Sequence, residues 1–120
     1  MRYWHAFSAI LLSLAAACPL AAAQSLYVVC DNGLRCVKAP CPSSTARDLA
    51  TGEAFKGVSP SLDGLPEADR ERIRQTDALY FGRLVLKGHM QPEDNGPSAL
   101  VVTGIAREAK PEERKGCPAG

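Results

Sequence analysis

The sequence predicts a small α+β domain that is stabilised by disulfides. Short β-branched and aromatic runs alternate with turn signals, one charged segment has the spacing of an amphipathic helix, and four cysteines follow the N-terminal leader. We expect the element order β-β-β-β-α-β-β. Such a chain would form a small antiparallel sheet or a partly open barrel with one covering helix.

The first predicted hairpin lies directly after the leader. Residues 26–30 are rich in β-branched and aromatic side chains and run into Asp31-Asn32-Gly33. Asn-Gly accepts the positive φ angles that tight hairpins need, so a second strand is expected at residues 34–38. Pro40 and Pro42 then end that strand.

The other four strands are predicted in two pairs. Residues 44–49 and 54–58 flank a turn at residues 50–53, which indicates a further hairpin. Residues 80–89 and 99–107 are the longest strand patterns, and a loop rich in Pro, Gly, Asp and Asn joins them. The run Leu100-Val101-Val102 is apolar on both faces, which predicts a central strand.

One helix is predicted between these two pairs, at about residues 66–78. Pro66 suits the first helical position, and acidic residues follow it near the positive end of the helix dipole. The apolar stripe is thin and consists mainly of Leu65, Ala68, Ile73 and Leu79. A helix of this kind covers a sheet rather than forming a core of its own.

The N-terminus has the composition of a signal peptide. Arg2 precedes an apolar run at residues 6–17, which is shorter than the roughly 20 residues that span a bilayer. Small residues at Ala21-Ala22-Ala23 predict cleavage after Ala23, with no transmembrane segment left after processing. The chain is thereby divided into a signal peptide at residues 1–23, one exported domain at residues 24–108 and a charged tail at residues 109–120, tethered through Cys117.

An alternative interpretation of the leader is a lipoprotein signal. The run Ala15-Ala16-Ala17-Cys18 resembles a lipobox, whose cysteine is acylated and becomes the first residue of the anchored protein. It departs from the usual pattern at Ala15, where Leu is typical, and Pro19 follows Cys18 directly. A periplasmic or secreted domain is therefore preferred to a membrane-anchored lipoprotein lipidated at Cys18.

Four cysteines remain after the leader, namely Cys30, Cys36, Cys41 and Cys117. An exported domain of under about 100 residues has a limited core and commonly adds disulfides. Sequence alone leaves three pairings open. We favour Cys36–Cys41, which closes a tight loop, together with Cys30–Cys117, which tethers the tail to the first strand.

Charge and cysteine spacing argue against several function classes. Loss of the leader removes only Arg2 and leaves 13 Lys and Arg against 13 Asp and Glu, without a basic cluster, so nucleic acid is not an expected partner. The absence of a Cys-x-x-Cys pair argues against a zinc knuckle and against a thioredoxin-like redox centre. No phosphate-binding glycine motif occurs, and no cofactor is predicted.

Catalysis is not predicted either. His89 is the only histidine after the leader, and it lies beside a loop that carries Glu93 and Asp94. A solvated histidine next to adjacent surface carboxylates lacks the activated nucleophile and the buried setting that catalysis requires. We therefore expect a non-enzymatic protein without catalytic or metal-binding residues.

Several segments resemble a family of small uncharacterised exported bacterial domains with a Cys-x4-Cys-Pro-Ser opening and a terminal β-hairpin. The matching segments are residues 35–43, 51–53, 62–66, 82–88 and 100–104. The resemblance covers nearly the whole mature chain and implies no activity. Cys30 and Cys117 are additions to the shared pattern, which supports their pairing with each other.

The predicted topology is also similar to that of the oligonucleotide/oligosaccharide-binding fold.

Two loops are the expected binding surfaces, at residues 36–43 and at residues 90–98, because long loops on a rigid sheet commonly carry recognition. Their candidate contact residues are Lys38, Pro40, Ser43, His89, Glu93 and Asp94. The leading hypothesis is a binding domain of the cell envelope whose partner is a protein or an envelope ligand. The alternative is a serine-protease inhibitor that presents the rigid Cys36–Cys41 loop.

Overall fold

The computed structural model describes residues 24–39 and 41–119. In chain order the elements are β1 (Ser25–Asp31), β2 (Ser44–Asp48), β3 (Ala54–Ser61), α1 (Glu67–Gln75), α2 (Ala78–Phe81), β4 (Gly82–Gln91), β5 (Ala99–Glu108) and a 3₁₀ turn, η1 (Pro111–Arg114). No helix among these residues is both long and apolar enough to cross a bilayer. The expected signal peptide at residues 1–23, with Cys18, lies outside the described residues.

The five strands form one sheet in which each strand is paired on both sides. The strand order is β1-β2-β3-β5-β4, and β4 pairs in turn with β1, so the strands form a ring. Four of the five pairs are antiparallel, whereas β3 and β5 are parallel, with Ser59 beside Ala99. The predicted α+β class is confirmed, and the parallel pair corrects the expectation of a wholly antiparallel sheet.

Alternate side chains of the strands fill the interior of the ring. Leu84 and Leu86 of β4 are buried in the core, as the alternation in the sequence predicts. The other buried strand residues of this cluster are Tyr27, Val29, Ala46, Val58, Leu100 and Val102. Each fully buried aliphatic side chain contributes roughly 1.5–3 kcal/mol, so this cluster is the main source of stability.

The helical segment packs on this core through few residues. Ile73 is the buried residue of α1, and Leu65 and Ala78 join the same cluster from either side of it. The segment is shorter than the predicted helix at residues 66–78, because α1 ends at Gln75. Asp77, with φ of 49°, then redirects the chain into the short α2.

The strand predicted at residues 34–38 is wrong. The Asp31 carboxylate accepts a hydrogen bond from the Gly33 N–H at 3.0 Å, and the Asn32 side-chain oxygen accepts one from the Leu34 N–H at 3.0 Å. These Asx turns lead the chain into a loop, in which Val37 is fully exposed. Because β1 already pairs with β2 and β4, no free edge is left to receive another strand.

The C-terminal segment, residues 109–119, covers part of the outside of the ring. The disulfide Cys30–Cys117 bonds it to β1. The Arg114 Nε donates a hydrogen bond to the carbonyl oxygen of Phe81 at 3.2 Å. The segment is thus attached to the sheet by a covalent bond and by hydrogen bonds, and it forms one side of a groove on the outer face of the sheet.

Candidate functional site

The outer face of β1, β2 and β3 presents two rows of side chains. In the antiparallel register the first row is Cys30, Thr45 and Lys56, and the second row is Val28, Arg47 and Ala54. Ala46 and Phe55, the neighbours of these residues along the strands, face the core. Because side chains alternate along a strand, the two rows face outward. Together they form a surface across the three strands, which is called the floor below.

A cavity of about 260 Å³ lies between this floor and the C-terminal segment. Its second wall is formed by Glu113, Lys115, Gly116 and Cys117. Arg47 reaches this wall, since a Cβ placed on Gly116 would lie 3.6 Å from the Arg47 Nη2. The cavity therefore brings together residues from β1, β2, β3 and the end of the chain.

A second cavity of about 580 Å³ lies between β3 and the loop that joins β1 to β2. Its lining residues are Asn32, Gly33, Leu34, Pro42, Lys56 and Gly57. Gly57 has φ of +77°, and a Cβ at that position would lie 3.1 Å from the Pro42 Cβ, so glycine lets β3 pass close beneath the loop. Asn32 and Lys56 line both cavities. The two cavities together are called the outer groove below.

Each wall of the outer groove is held by a disulfide. Cys30–Cys117 joins residues 87 apart and fastens the C-terminal segment to the floor. Cys36–Cys41 joins residues 5 apart and closes the loop on the opposite side. These are the two pairs that the sequence analysis favoured among the three possible pairings.

The β1–β2 loop, residues 32–43, is closed at its base by one backbone hydrogen bond and one side-chain hydrogen bond. The Asn32 N–H donates to the Ser43 carbonyl oxygen at 2.8 Å, and the Asn32 side-chain amide donates to the Pro42 carbonyl oxygen at 3.0 Å. Lys38 is exposed at the tip of the loop, and Ser43 lies half-buried at its base. Pro40, the third candidate contact residue here, lies outside the described residues.

The β4–β5 loop, residues 92–98, lies at the same end of the sheet as the β1–β2 loop. Ser44 at the end of one loop pairs beside Val58 of β3, and the Ser59 N–H donates to the Ser98 carbonyl oxygen at 2.9 Å. The two loops therefore flank β3 on its two sides. Neighbouring strands lie about 4.8 Å apart, so the loop ends are separated by roughly 10 Å.

The remaining candidate residues belong to the β4–β5 hairpin. Glu93 and Asp94 are exposed in its loop. His89 lies within β4, opposite Val101 of β5 and two residues before the end of the strand. It is half-buried, whereas Glu93 and Asp94 are exposed beyond the strand end. In residues 24–39 and 41–119, no group of three or more His, Cys, Asp or Glu side chains is placed to hold a metal ion.

The two carboxylates of the outer groove are each paired with an arginine. Asp31 binds Arg35 with an Nη1 to Oδ1 distance of 3.2 Å. Arg107 donates hydrogen bonds from Nη1 and Nη2 to the two carboxylate oxygens of Glu113, at 2.6 Å and 2.8 Å. The hydrogen bonds from Arg107, with one from the Lys110 backbone N–H, lower the pKa of Glu113 to about 2. Glu113 is therefore charged at neutral pH and already neutralised by its partner.

The outer groove is also lined by three cationic side chains. Arg47, Lys56 and Lys115 form no ion pair within the part of the chain that the structure describes. Arg47 and Lys56 stand on adjacent strands as diagonal neighbours, whose Cβ atoms are typically up to about 7–8 Å apart. Lys115 faces them from the C-terminal wall. The groove thus combines paired carboxylates with three cations that are available to a ligand.

The two loops are predicted from the sequence, whereas the floor of the groove is not. The strand patterns at residues 44–49 and 54–58 place Arg47 directly after Ala46 and Lys56 directly after Phe55, a signal for an outward cationic pair. No local signal places Lys115 beside them, because the Cys30–Cys117 bond brings it there from the far end of the chain. Comparison of the chain with protein-family models, with curated proteins and with solved structures finds no match.

Proposed function

We propose that this chain is an exported, non-enzymatic binding domain of the bacterial envelope, and that it binds its ligand with the outer groove and the two loops beside it. The observation that carries the proposal is the convergence of the β1–β2 loop and the β4–β5 loop on the two sides of β3, next to the groove. Recognition residues are typically placed on loops that a rigid scaffold positions.

The position of this surface supports the proposal by analogy. The oligonucleotide/oligosaccharide-binding fold, which the predicted topology resembles, binds ligands on the face of its second and third strands and on the loops β1–β2 and β4–β5. The outer groove lies over the corresponding strands of this chain. The analogy concerns where a ligand binds and carries no information about its chemistry.

Export is supported by the two disulfides, because such bonds persist in oxidising compartments and are rare in the cytosol. An intact mass of the protein recovered from its native host tests this point. We expect a chain that begins at Gln24 and lacks four hydrogens. An acylated N-terminal Cys18 would replace the secreted domain by an anchored lipoprotein, and a fully reduced chain that keeps its leader would contradict export.

The binding function is tested by cosedimentation of the oxidised mature chain with insoluble envelope preparations, namely peptidoglycan sacculi and membrane vesicles. We expect the wild type to sediment with at least one of them, and a loop variant with Lys38→Ala, Glu93→Gln and Asp94→Asn to sediment less. Arg72→Gln is the matched control, because Arg72 is an exposed arginine of α1 outside the groove. Absence of binding by the wild type, or equal binding by the loop variant, would contradict the proposed function.

A serine-protease inhibitor is the second candidate. The exposed Lys38 at the tip of the loop closed by Cys36–Cys41 favours it, since a basic side chain on a pre-organised loop suits a trypsin-like pocket. Titration of trypsin-like proteases with the wild type and with Lys38→Ala tests this candidate. Inhibition that depends on Lys38 supports it, and the absence of inhibition by the wild type removes it.

A further inference from the structure

We propose that the ligand of the outer groove is an acidic peptide segment of a partner protein, bound in extended form with the pattern acidic-x-acidic-x-aliphatic. This inference rests on the proposed binding function and names the chemistry of its ligand. It follows from three properties of the groove: its free cations, its apolar end and the spacing between them.

The charge of the groove selects an anionic ligand. Arg47, Lys56 and Lys115 have no ion pair in the described part of the chain, whereas Asp31 and Glu113 are engaged by other arginines. A guanidinium binds a carboxylate through two parallel hydrogen bonds. Arg47 can therefore both bind and orient one carboxylate of the ligand. The carboxylates of a ligand can therefore pair with these cations without breaking an ion pair within the described part of the chain.

The spacing of the cations matches an extended peptide. As diagonal neighbours on adjacent antiparallel strands, Arg47 and Lys56 have Cβ atoms up to about 7–8 Å apart. Two residues of extended chain rise about 7 Å, and side chains two residues apart point to the same side. Acidic side chains at alternate positions of a peptide can thus meet Arg47 and Lys56 together.

The apolar end of the groove defines the third position. Beyond Lys56 the groove continues between Leu34, Pro42 and Gly57. Leu34 is 45% exposed, so its side chain offers apolar surface at this end of the groove. An aliphatic side chain two residues after the second acidic one would cover Leu34 and Pro42.

The lining residues also favour a peptide over nucleic acid as the ligand of the groove. Proteins that hold single strands stack the bases on aromatic side chains, and none of the residues that line the outer groove is aromatic. The near balance of charge over the mature chain agrees with this, because phosphate-backbone binding depends on a large basic surface.

The proposal is tested by titrating the oxidised mature chain with synthetic peptides that contain Glu-Thr-Glu-Thr-Leu, Gln-Thr-Gln-Thr-Leu or Glu-Thr-Glu-Thr-Ser between identical flanks. We expect the Glu-Thr-Glu-Thr-Leu peptide to bind and the Gln-Thr-Gln-Thr-Leu peptide to bind at least about tenfold more weakly. Added salt should weaken the binding of the Glu peptide more than that of the Gln peptide. Equal binding of the Glu and Gln peptides, or no binding of the first, would overturn the proposal.

Variants of the chain assign each contact. Arg47→Gln with Lys56→Gln should abolish the difference between the Glu and Gln peptides, while Arg72→Gln should leave it unchanged. Leu34→Ser should weaken the peptide that ends in Leu and leave the peptide that ends in Ser unaffected. Tighter binding of a single-stranded oligonucleotide or of an acidic oligosaccharide would overturn the choice of a peptide. If peptide binding fails while the wild type still sediments with envelope material through its loops, the proposed function stands and this inference falls.

Discussion

Gly82, the first residue of β4, packs against the Cys30–Cys117 disulfide. Its φ is +68°, and a Cβ built there would lie 2.8 Å from the Cys117 Sγ and 2.9 Å from a methyl carbon of Val28. We predict that Gly82→Ala lowers the free energy of unfolding by about 2–4 kcal/mol, because crowding adds to backbone strain. Urea denaturation of the oxidised protein measures this loss.

Gly52→Ala is the control for that substitution. Gly52 has a similar φ of +75°, but nothing lies within 4 Å of the position of its Cβ. Only backbone strain is then added, which costs about 1–2 kcal/mol. Equal losses in the two variants would show that the contact of Gly82 with the disulfide does not matter.

Glu113 gives the stability of the protein a specific dependence on pH. Its pKa is lowered to about 2 by Arg107 and the Lys110 N–H. A glutamate in an unfolded chain has a pKa of about 4.3. Since the folded-state pKa is the lower one, the contribution of this carboxylate is present above about pH 4.3 and is lost as the pH falls towards 2. Glu113→Gln should therefore cost about 0.5–1 kcal/mol at pH 7 and much less near pH 2.

Chemical denaturation of wild type and Glu113→Gln at the two pH values measures this difference. Glu93→Gln serves as the control, because Glu93 is exposed in the β4–β5 loop and forms no ion pair within the described residues. It should leave stability nearly unchanged at both pH values. A cost of Glu113→Gln that does not vary with pH would contradict the assigned role of the Arg107–Glu113 pair.

Among the elements, α1 depends on a single side chain for its attachment. Ile73 is 3% exposed and is the buried residue of this helix, whose other positions carry mostly charged side chains. Ile73→Ala should lower the free energy of unfolding by about 2–5 kcal/mol, because it leaves a cavity between helix and sheet. Leu34→Ala, at a side chain that is 45% exposed, is the control and should cost under about 1 kcal/mol. Similar losses in both variants, measured by thermal unfolding, would mean that α1 is not anchored through Ile73.

The strands illustrate which elements local sequence can predict. The patterns at residues 44–49, 80–89 and 99–107 correspond to β2, β4 and β5 with small shifts at their ends. The turn at residues 50–53 forms as predicted, since Asp48 Oδ1 accepts hydrogen bonds from the two N–H groups that follow Leu49. Residues 34–38 carry an equally strand-like pattern and form a loop, because strand formation also needs an unpaired edge and β1 offers none.

For the molecule as a whole, the two disulfides should contribute very unequally. In the chain-entropy account a bond across 87 residues stabilises by about 4–5 kcal/mol, and a bond across 5 residues by about 2 kcal/mol. Replacing Cys30 and Cys117 by Ala should thus reduce the free energy of unfolding more than replacing Cys36 and Cys41. Guanidinium denaturation of both double variants measures the gap, and an equal or reversed order would contradict it.

Candidate sites could be located from sequence only in part. The two loops were identifiable because Pro, Gly and Cys mark turns and closures locally. The groove beside them was not, since Lys115 is distant in the chain from Arg47 and Lys56 and meets them through one long-range disulfide. The apolar end at Leu34 is not predicted either, because the pattern at residues 34–38 predicts a strand there.

Local chemistry within the chain was sufficient to predict an α+β domain, most of its strands, its single covering helical segment and a set of four cysteines to be paired. Those properties depend on alternation, turn residues and cysteine number, which are all readable over a few neighbouring positions. The closure of the ring, the parallel β3–β5 pair and the cationic groove depend instead on which distant segments share an edge. Pairing of that kind is decided by competition among all available edges in the folded chain, and no single segment contains the information.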